Sequence, residues 1–138
     1  MSQTVSSRVM PIIAVPSVDD VRNFYVDTLG FSHQMGVVGK DGQLDFVTLM
    51  LGEAKVMFSR GPAGKSANGK QPVEIYLEVD DVDALHDRLK KKGVTFSDPL
   101  KLQWWGDRTF KVRDPNGYEL WFYTNVAEPK PPQGTKLI

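Results

Sequence analysis

Few residues in this sequence are of the kinds that enzymes use for catalysis. The chain has no cysteine, which excludes cysteine nucleophiles, disulfides, zinc–thiolate sites and iron–sulfur clusters together. Its two histidines, His33 and His86, fall far apart, on a predicted strand and a predicted helix. No Ser–His–Asp arrangement, phosphate-binding loop or pair of carboxylates at a useful spacing is present. Acid–base chemistry would depend on Glu74 alone, and we predict no catalytic residue.

A different chemistry is indicated by the segment 73–79, Val-Glu-Ile-Tyr-Leu-Glu-Val. Its aliphatic side chains alternate with Glu74, Tyr76 and Glu78, which is the pattern of a strand with one buried face. If the aliphatic face lies under a helix, the other face forms a second surface, and the same alternation in other strands shows what that surface carries. The residues that this parity places on it are Met10, Ile12, Ala14, Phe46, Thr48, Met50, Lys55, Met57, Ser59, Trp105, Asp107, Thr109, Lys111, Glu119, Trp121 and Tyr123.

Large aromatic rings and methionines with a few charges have the composition of a small-molecule cavity. We therefore predict a ligand site in which the rings supply affinity and Glu74 and Lys111 fix orientation. Its predicted ligand-binding residues are Phe46, Met57, Glu74, Tyr76, Trp105, Lys111, Trp121 and Tyr123. Two other interpretations stay open: the rings form a plain dimer interface, or the methionines are core residues and Glu74 is solvated. Asp107 and Arg108 are predicted to stabilise the sheet as a surface pair.

The elements that must position these side chains occur twice. Residues 15–31 and 79–96 line up at an offset of about 64 residues. Each copy is predicted as a strand, a helix that begins at a capping residue and ends at a glycine, and further strands. The predicted helix ends are Ser17 or Asp19 and Gly30 in the first copy, and Asp80 or Asp81 and Gly93 in the second.

Strand patterns fill the rest of both copies. The predicted strands are 31–38, 44–51, 54–60, 73–79, 94–103, 104–113 and 118–124, with turns at 39–43 and 114–117. The predicted fold class is α+β: a single domain of two βαβββ modules, about 8–60 and 73–126, whose curved mixed sheet surrounds a ligand cavity. A turn-rich connector covers 61–72. The tail, 127–138, holds three prolines that exclude helix and central strand, and it is expected to be disordered or packed on this or a partner chain.

The composition indicates no charged partner. A chain of 138 residues with 41% hydrophobic content suits one compact domain. The 17 basic residues balance 17 acidic ones, so no net field favours nucleic acid or anionic lipid. Residues 1–9 contain no apolar run like that of a signal peptide, and no apolar stretch of about 18 residues follows. We therefore expect a soluble, cytoplasmic protein without nucleic-acid or membrane partners.

Three motifs give the modules a family resemblance. They are Asn23-Phe-Tyr-Val-Asp-Thr-Leu-Gly-Phe31, Glu78-Val-Asp-Asp-Val82, and Trp105-Gly-Asp-Arg-Thr-Phe-Lys-Val-Arg-Asp-Pro-Asn-Gly-Tyr-Glu-Leu120. Over roughly residues 8–126 the sequence resembles the vicinal-oxygen-chelate superfamily, the group of glyoxalases, bleomycin-resistance proteins and extradiol dioxygenases. The resemblance implies paired βαβββ modules around a ligand cavity.

The resemblance also bears on metal binding. Metal-using members of that family place His, Gln or Glu at four positions that match Met10, Met57, Glu74 and Trp121 here. Only Glu74 is a ligand for Zn, Ni, Mn or Fe, so the sequence is similar to the metal-free bleomycin-resistance branch and no cofactor is expected.

That branch implies metal-independent binding and sequestration of a small aromatic natural product, an antibiotic, by a homodimer. One alternative is a metal-dependent lyase, isomerase or dioxygenase of the same fold whose metal ligands lie one or two residues away from the matched positions. The other is a structural or regulatory dimer that has no small ligand.

Overall fold

The structure, a computed structural model, describes residues 8–62 and 71–138. Most of the connector predicted at 61–72 lies outside these residues. The described residues belong to two compact units, which divide between residues 63 and 64. In the part of the chain that is described, no helix has the length and apolar character needed to cross a membrane.

The first unit is a four-stranded mixed sheet with one helical segment. Its elements are β1 (Ile12–Val15), α1 (Val18–Asn23), a π-helical turn (Phe24–Thr28), β2 (Ser32–Val38), β3 (Leu44–Leu51) and β4 (Ala54–Arg60). The strand order is β1-β4-β3-β2. β1 pairs in parallel with β4, and the other neighbours are antiparallel.

The second unit repeats this arrangement. Its elements are β5 (Glu74–Glu78), α2 (Val82–Lys91), β6 (Asp98–Leu102), β7 (Asp107–Arg113) and β8 (Glu119–Asn125). The strand order is β5-β8-β7-β6, with a parallel β5–β8 pair and antiparallel pairs elsewhere. The predicted α+β fold of two βαβββ units, each with a mixed sheet, is therefore confirmed.

Both helices begin at one of the predicted capping residues. Ser17 Oγ accepts a hydrogen bond from the Asp20 amide at 3.1 Å, and Asp81 Oδ1 accepts one from the Ala84 amide at 3.0 Å. These bonds satisfy amides that have no acceptor inside the helix. The first helical segment ends before Gly30, whose φ of 86° is favourable only for glycine.

The first helix changes type at Phe24, which the sequence pattern did not predict. The Leu29 amide donates to the Phe24 carbonyl, five residues earlier, at 3.1 Å, which is the bond of a π-helix. Tyr25 in this turn is fully buried, with its ring 5.1 Å from that of Phe31 and 5.0 Å from that of Phe58. We attribute the wider turn to the packing of this ring, because a regular 3.6-residue spacing would rotate the residues that follow it.

Each sheet has one face under its helix and one opposite face. α1 contacts β3 and β4, and α2 contacts β7 and β8. The buried strand residues of the helical side are Ile13, Val15, Val47, Leu49, Val56 and Phe58 in the first unit, and Leu77, Phe110, Val112, Leu120 and Phe122 in the second. On the other side of the second sheet, Trp121 pairs with Tyr76 and with Lys111. The predicted parity of β5, β7 and β8 is confirmed.

The two adjacent tryptophans correct the predicted strand boundaries. Strands were expected at 94–103 and 104–113, whereas Trp104 and Trp105 lie in a turn between β6 and β7. The Gly106 amide closes this turn on the Gln103 carbonyl at 3.1 Å. Strand alternation therefore does not determine where the Trp105 side chain points, and the turn does.

Candidate functional site

Four aromatic side chains meet on the face of the second sheet opposite the helical side. Tyr76 comes from β5, Trp121 and Tyr123 from β8, and Trp105 from the turn before β7. The Tyr76 ring stacks on that of Tyr123 at 4.4 Å and lies 5.5 Å from that of Trp121. The Trp105 ring is 6.1 Å from the Trp121 ring. We call these four residues the aromatic face, and their spacing is that of interacting ring pairs.

The aromatic face differs from the core in its exposure. Tyr76 is 43% exposed, and the other three rings are partly exposed. On the helical side of the same strands, Phe110 and Phe122 are completely buried. A cluster of partly exposed rings is typical of a surface that binds another molecule.

A charged pair lies at the edge of the aromatic face. Lys111 Nζ is 3.9 Å from the centroid of the Trp121 ring and 3.7 Å from Glu74 Oε1. The first contact is a cation–π interaction, and the second is a partly exposed ion pair of low net strength. The two residues predicted to orient a ligand are thus neighbours of each other and of a predicted stacking residue.

A hydrogen-bond network holds two rings of the aromatic face. Tyr76 donates its hydroxyl proton to Asp107 Oδ2 at 2.6 Å and accepts a hydrogen bond from Trp105 Nε1 at 2.9 Å. Asn125 Nδ2 donates to the other oxygen of Asp107 at 2.9 Å. Asp107 itself is only 8% exposed. This buried carboxylate fixes the Tyr76 hydroxyl, and through it the indole of Trp105.

The role of Asp107 corrects the prediction of a surface pair with Arg108. Arg108 instead binds Asp83 on α2, with its Nη2 2.9 Å from Oδ1. Alternation along β7 had placed Asp107 on the same face as the tryptophans, and there it accepts hydrogen bonds from Tyr76 and Asn125. Neither Asp107 nor Asn125 was among the predicted site residues. The strand alternation could have indicated Asp107, whereas no sequence signal indicated Asn125.

The network changes the acidity of Tyr76. Burial, and then the hydrogen bond to Asp107, raise the pKa of Tyr76 to about 12. Burial and the Glu78 carboxylate also raise the pKa of Tyr123. Both phenols are therefore neutral at physiological pH, and the Tyr76 hydroxyl is a hydrogen-bond donor there.

This shift predicts the alkaline titration of the protein. Subtracting the phenolate absorbance curve of Tyr76→Phe from that of the wild type should leave one ionisation centred near pH 12. Because the folded pKa lies above the unfolded value of about 10, the stability linked to Tyr76 is complete below pH 10 and is lost as the pH rises through 12. A difference curve centred near pH 10 would contradict the network.

The other two predicted ligand residues lie in the first unit. Phe46 is on β3, and Met57 is on β4, opposite Ile12 in β1 and Thr48 in β3. Both are partly exposed, and their register places them on the non-helical face of their own sheet, as the alternation predicted. A role in ligand binding stays a prediction for all eight residues.

The two histidines have structural partners. His33 Nδ1 accepts a hydrogen bond from Arg22 Nε at 3.2 Å. The His86 ring stacks on that of Phe96 at 4.4 Å. Each imidazole therefore contacts a residue of its own unit.

The residues at the positions matched to metal ligands do not fit a divalent metal ion. Met10, Met57, Glu74 and Trp121 offer two thioethers, one carboxylate and an indole, whereas such ions require several imidazole or oxygen ligands. Within residues 8–62 and 71–138, no group of three or more His, Cys, Asp or Glu side chains is placed to hold one.

Comparison with known proteins identifies relatives over most of the chain. An uncharacterized protein of Mycobacterium tuberculosis is 32% identical over 126 residues, which cover 86% of this chain and 74% of that protein. A bleomycin resistance protein of Geobacillus stearothermophilus is 27% identical over 132 residues, which cover 85% of this chain and 96% of that protein.

Solved structures share the fold. TioX from Micromonospora sp. ML1 aligns with a TM-score of 0.71 at 25% identity, covering 88% of this chain and 100% of that one. The bleomycin resistance determinant encoded on the transposon Tn5 aligns with a TM-score of 0.71 at 20% identity, with the same coverage. Residues 6–122 match the model of the Glyoxalase/Bleomycin resistance protein/Dioxygenase superfamily. The chain therefore belongs to the glyoxalase/bleomycin resistance protein/dioxygenase superfamily.

Proposed function

We propose that this protein binds and sequesters a small aromatic molecule, an antibiotic, on the aromatic face. The main support for this proposal is the group of four partly exposed rings, in which the centroids of neighbouring rings lie 4.4 to 6.1 Å apart. The relationship to the bleomycin resistance protein of Geobacillus stearothermophilus supports an antibiotic as the ligand class. We further propose that the protein acts as a homodimer in the cytoplasm.

Each part of the site has a physical role in this function. A flat ligand stacks on Trp121 and Trp105, where each ring pair contributes about 0.5–1.5 kcal/mol beyond the burial of area. Tyr76, whose hydroxyl donates to Asp107, supports the stack from β5. Glu74 and Lys111 fix the orientation of polar groups on the ligand, because they lie together at the edge of the rings.

Binding is proposed to need no metal. The affinity comes from ring stacking and from one charged pair, and neither interaction involves a metal ion. The donor set at the four matched positions, with its single carboxylate, supports this proposal.

Tryptophan fluorescence tests the proposal directly, because two of the three tryptophans belong to the aromatic face. EDTA-treated protein is titrated with a panel of aromatic antibiotics and catechols, and the metal content of untreated protein is assayed in parallel. We expect saturable quenching by the metal-free protein. The Trp104→Phe variant serves as the matched reporter, since it keeps Trp105 and Trp121 and should quench to at least the same extent.

Two other outcomes would replace the proposal. Stoichiometric bound metal without quenching would favour the metal-dependent lyase, isomerase or dioxygenase alternative. A lack of both metal and quenching, together with a dimer that dissociates when Trp121 is changed, would show that the rings are an interface between subunits. Resistance itself is tested by expression in bacteria sensitive to the bound antibiotic, where the wild type should raise the inhibitory concentration.

A further inference from the structure

Val126 and the first residues of the tail lie against the turn that carries the two tryptophans. The amides of Val126 and Ala127 donate to the Gly106 carbonyl at 3.0 and 3.1 Å, and the Lys130 amide donates to the Trp104 carbonyl at 2.7 Å. The two carbonyls that accept these bonds belong to the residues on either side of Trp105. The tail thus holds the Trp105 backbone from both sides.

The contact between tail and turn is too close for any side chain at residue 106. A Cβ atom on Gly106 would clash with the Ala127 carbonyl oxygen, which is backbone and cannot move aside alone. Gly106 also has a φ of 99°, a conformation that side chains rarely tolerate. Glycine here permits both the turn and the close approach of the tail.

The same segment connects to the aromatic face through side chains. Asn125, immediately before the tail contacts, donates to Asp107 at 2.9 Å, and Asp107 binds the Tyr76 hydroxyl. That hydroxyl accepts the indole N–H of Trp105 at 2.9 Å. The position of the Trp105 ring therefore depends on a backbone held by the tail and on a side-chain partner held by Asn125.

We infer that residues 126–130 form a strap that positions Trp105 in the aromatic face, so that the tail tunes ligand affinity. The inference rests on the proposed function only in its second part. The first part, the positioning of Trp105, does not depend on a ligand, because residues 126–130 donate hydrogen bonds to the carbonyls on both sides of Trp105. The strap adds three backbone hydrogen bonds to those that the turn makes with Asp107 and within itself.

A pair of point variants tests the strap within the full chain. Lys130→Pro removes the amide that donates to Trp104 and suits a segment already flanked by Pro129 and Pro131. Lys130→Ala removes the side chain and keeps the amide. In ¹H–¹⁵N spectra, with the three indole signals assigned by single Trp→Phe variants, Lys130→Pro should shift the Trp105 indole signal and speed its exchange with solvent. The Trp121 signal should not move, and Lys130→Ala should match the wild type.

Truncation provides a second test. Removing residues 126–138 deletes all three bonds to the turn, whereas removing 131–138 deletes none of them. The longer truncation should reproduce the shift of the Trp105 signal and raise the Kd for bleomycin, used as the probe, by about threefold to tenfold. The shorter truncation should leave both unchanged. A Trp105 signal that stays at its wild-type position in both Lys130→Pro and the longer truncation would overturn the strap.

The two proposals fail in different ways. If wild-type protein binds neither bleomycin nor any compound of the fluorescence panel, the proposed function is wrong, and the indole signals still decide whether the strap exists. If the wild type binds bleomycin and the Trp105 signal responds to the variants without any change in Kd, the strap holds the ring but does not tune affinity, and the second part of the inference is overturned.

Discussion

Replacing Trp121 with alanine is expected to raise the Kd for an aromatic ligand by about tenfold to a hundredfold. Trp121 is the central residue of the aromatic face. Its ring lies 5.5 Å from Tyr76 and 6.1 Å from Trp105, and the Lys111 ammonium lies 3.9 Å from its centroid. Alanine removes the stacking surface and also the group that holds Lys111 in place. Isothermal titration calorimetry at constant salt measures the loss.

A matched control separates this effect from a general loss of apolar surface. Leu102 is 55% exposed and pairs with Arg108 in the same sheet, so Leu102→Ala should leave Kd unchanged. Trp121→Phe should retain part of the affinity because a smaller ring still stacks. The oligomeric state measured in solution should be the same for all variants. An unchanged Kd for Trp121→Ala would place the ligand elsewhere.

Replacing Phe110 with alanine is expected to lower the free energy of unfolding by about 3–5 kcal/mol. Phe110 has no exposed surface, and its ring is 5.1 Å from Phe122, 5.3 Å from Phe96 and 5.4 Å from His86. The cavity left by alanine has rigid strands and a helix around it, so it cannot collapse fully. Denaturant unfolding followed by circular dichroism measures the change.

An exposed apolar residue serves as the control for the loss of a buried one. Leu102→Ala removes a comparable apolar side chain from an exposed position and should change the free energy of unfolding by no more than about 0.5 kcal/mol. A loss below about 1 kcal/mol for Phe110→Ala would mean that the aromatic cluster under α2 is loosely packed.

The repeated βαβββ pattern was predictable because its signals are local. Strand alternation in 73–79 depends only on neighbouring residues, and it correctly assigned Tyr76 to one face and Leu77 to the other. Helix capping is also local, although the sequence left two candidates at each start. The structure selects Ser17 and Asp81.

The features that the sequence did not predict depend on contacts between distant segments. The π-helical turn at Phe24 is associated with Tyr25 packing on Phe58, which is far along the chain. The turn at Trp104 and Trp105 is stabilised by the tail, more than 20 residues later. No periodicity in the sequence encodes either contact. The prediction therefore continued a regular helix through Phe24 and a regular strand through Trp104 and Trp105.

The candidate site was predicted in composition but not in its internal bonding. Parity brought Tyr76, Lys111 and Trp121 to one face, and the register confirms that placement. The bond from Tyr76 to Asp107 joins two side chains that lie 31 residues apart in the sequence, so no local pattern predicts it. The ligand-binding roles of these residues stay predictions, which the fluorescence and calorimetric titrations test.

Under the proposed function, Lys111 would have to leave the Trp121 ring before it could orient a ligand that stacks there. Lys111 already covers the Trp121 ring and is close to Glu74, so a ring that stacks there must displace it, and the net affinity is the difference between the two contacts. A larger molecule with its own cationic group restores both the ring contact and the pairing with Glu74. If the proposed function holds, the protein is therefore expected to prefer aromatic ligands that carry a cationic group over neutral aromatic ligands of the same ring size.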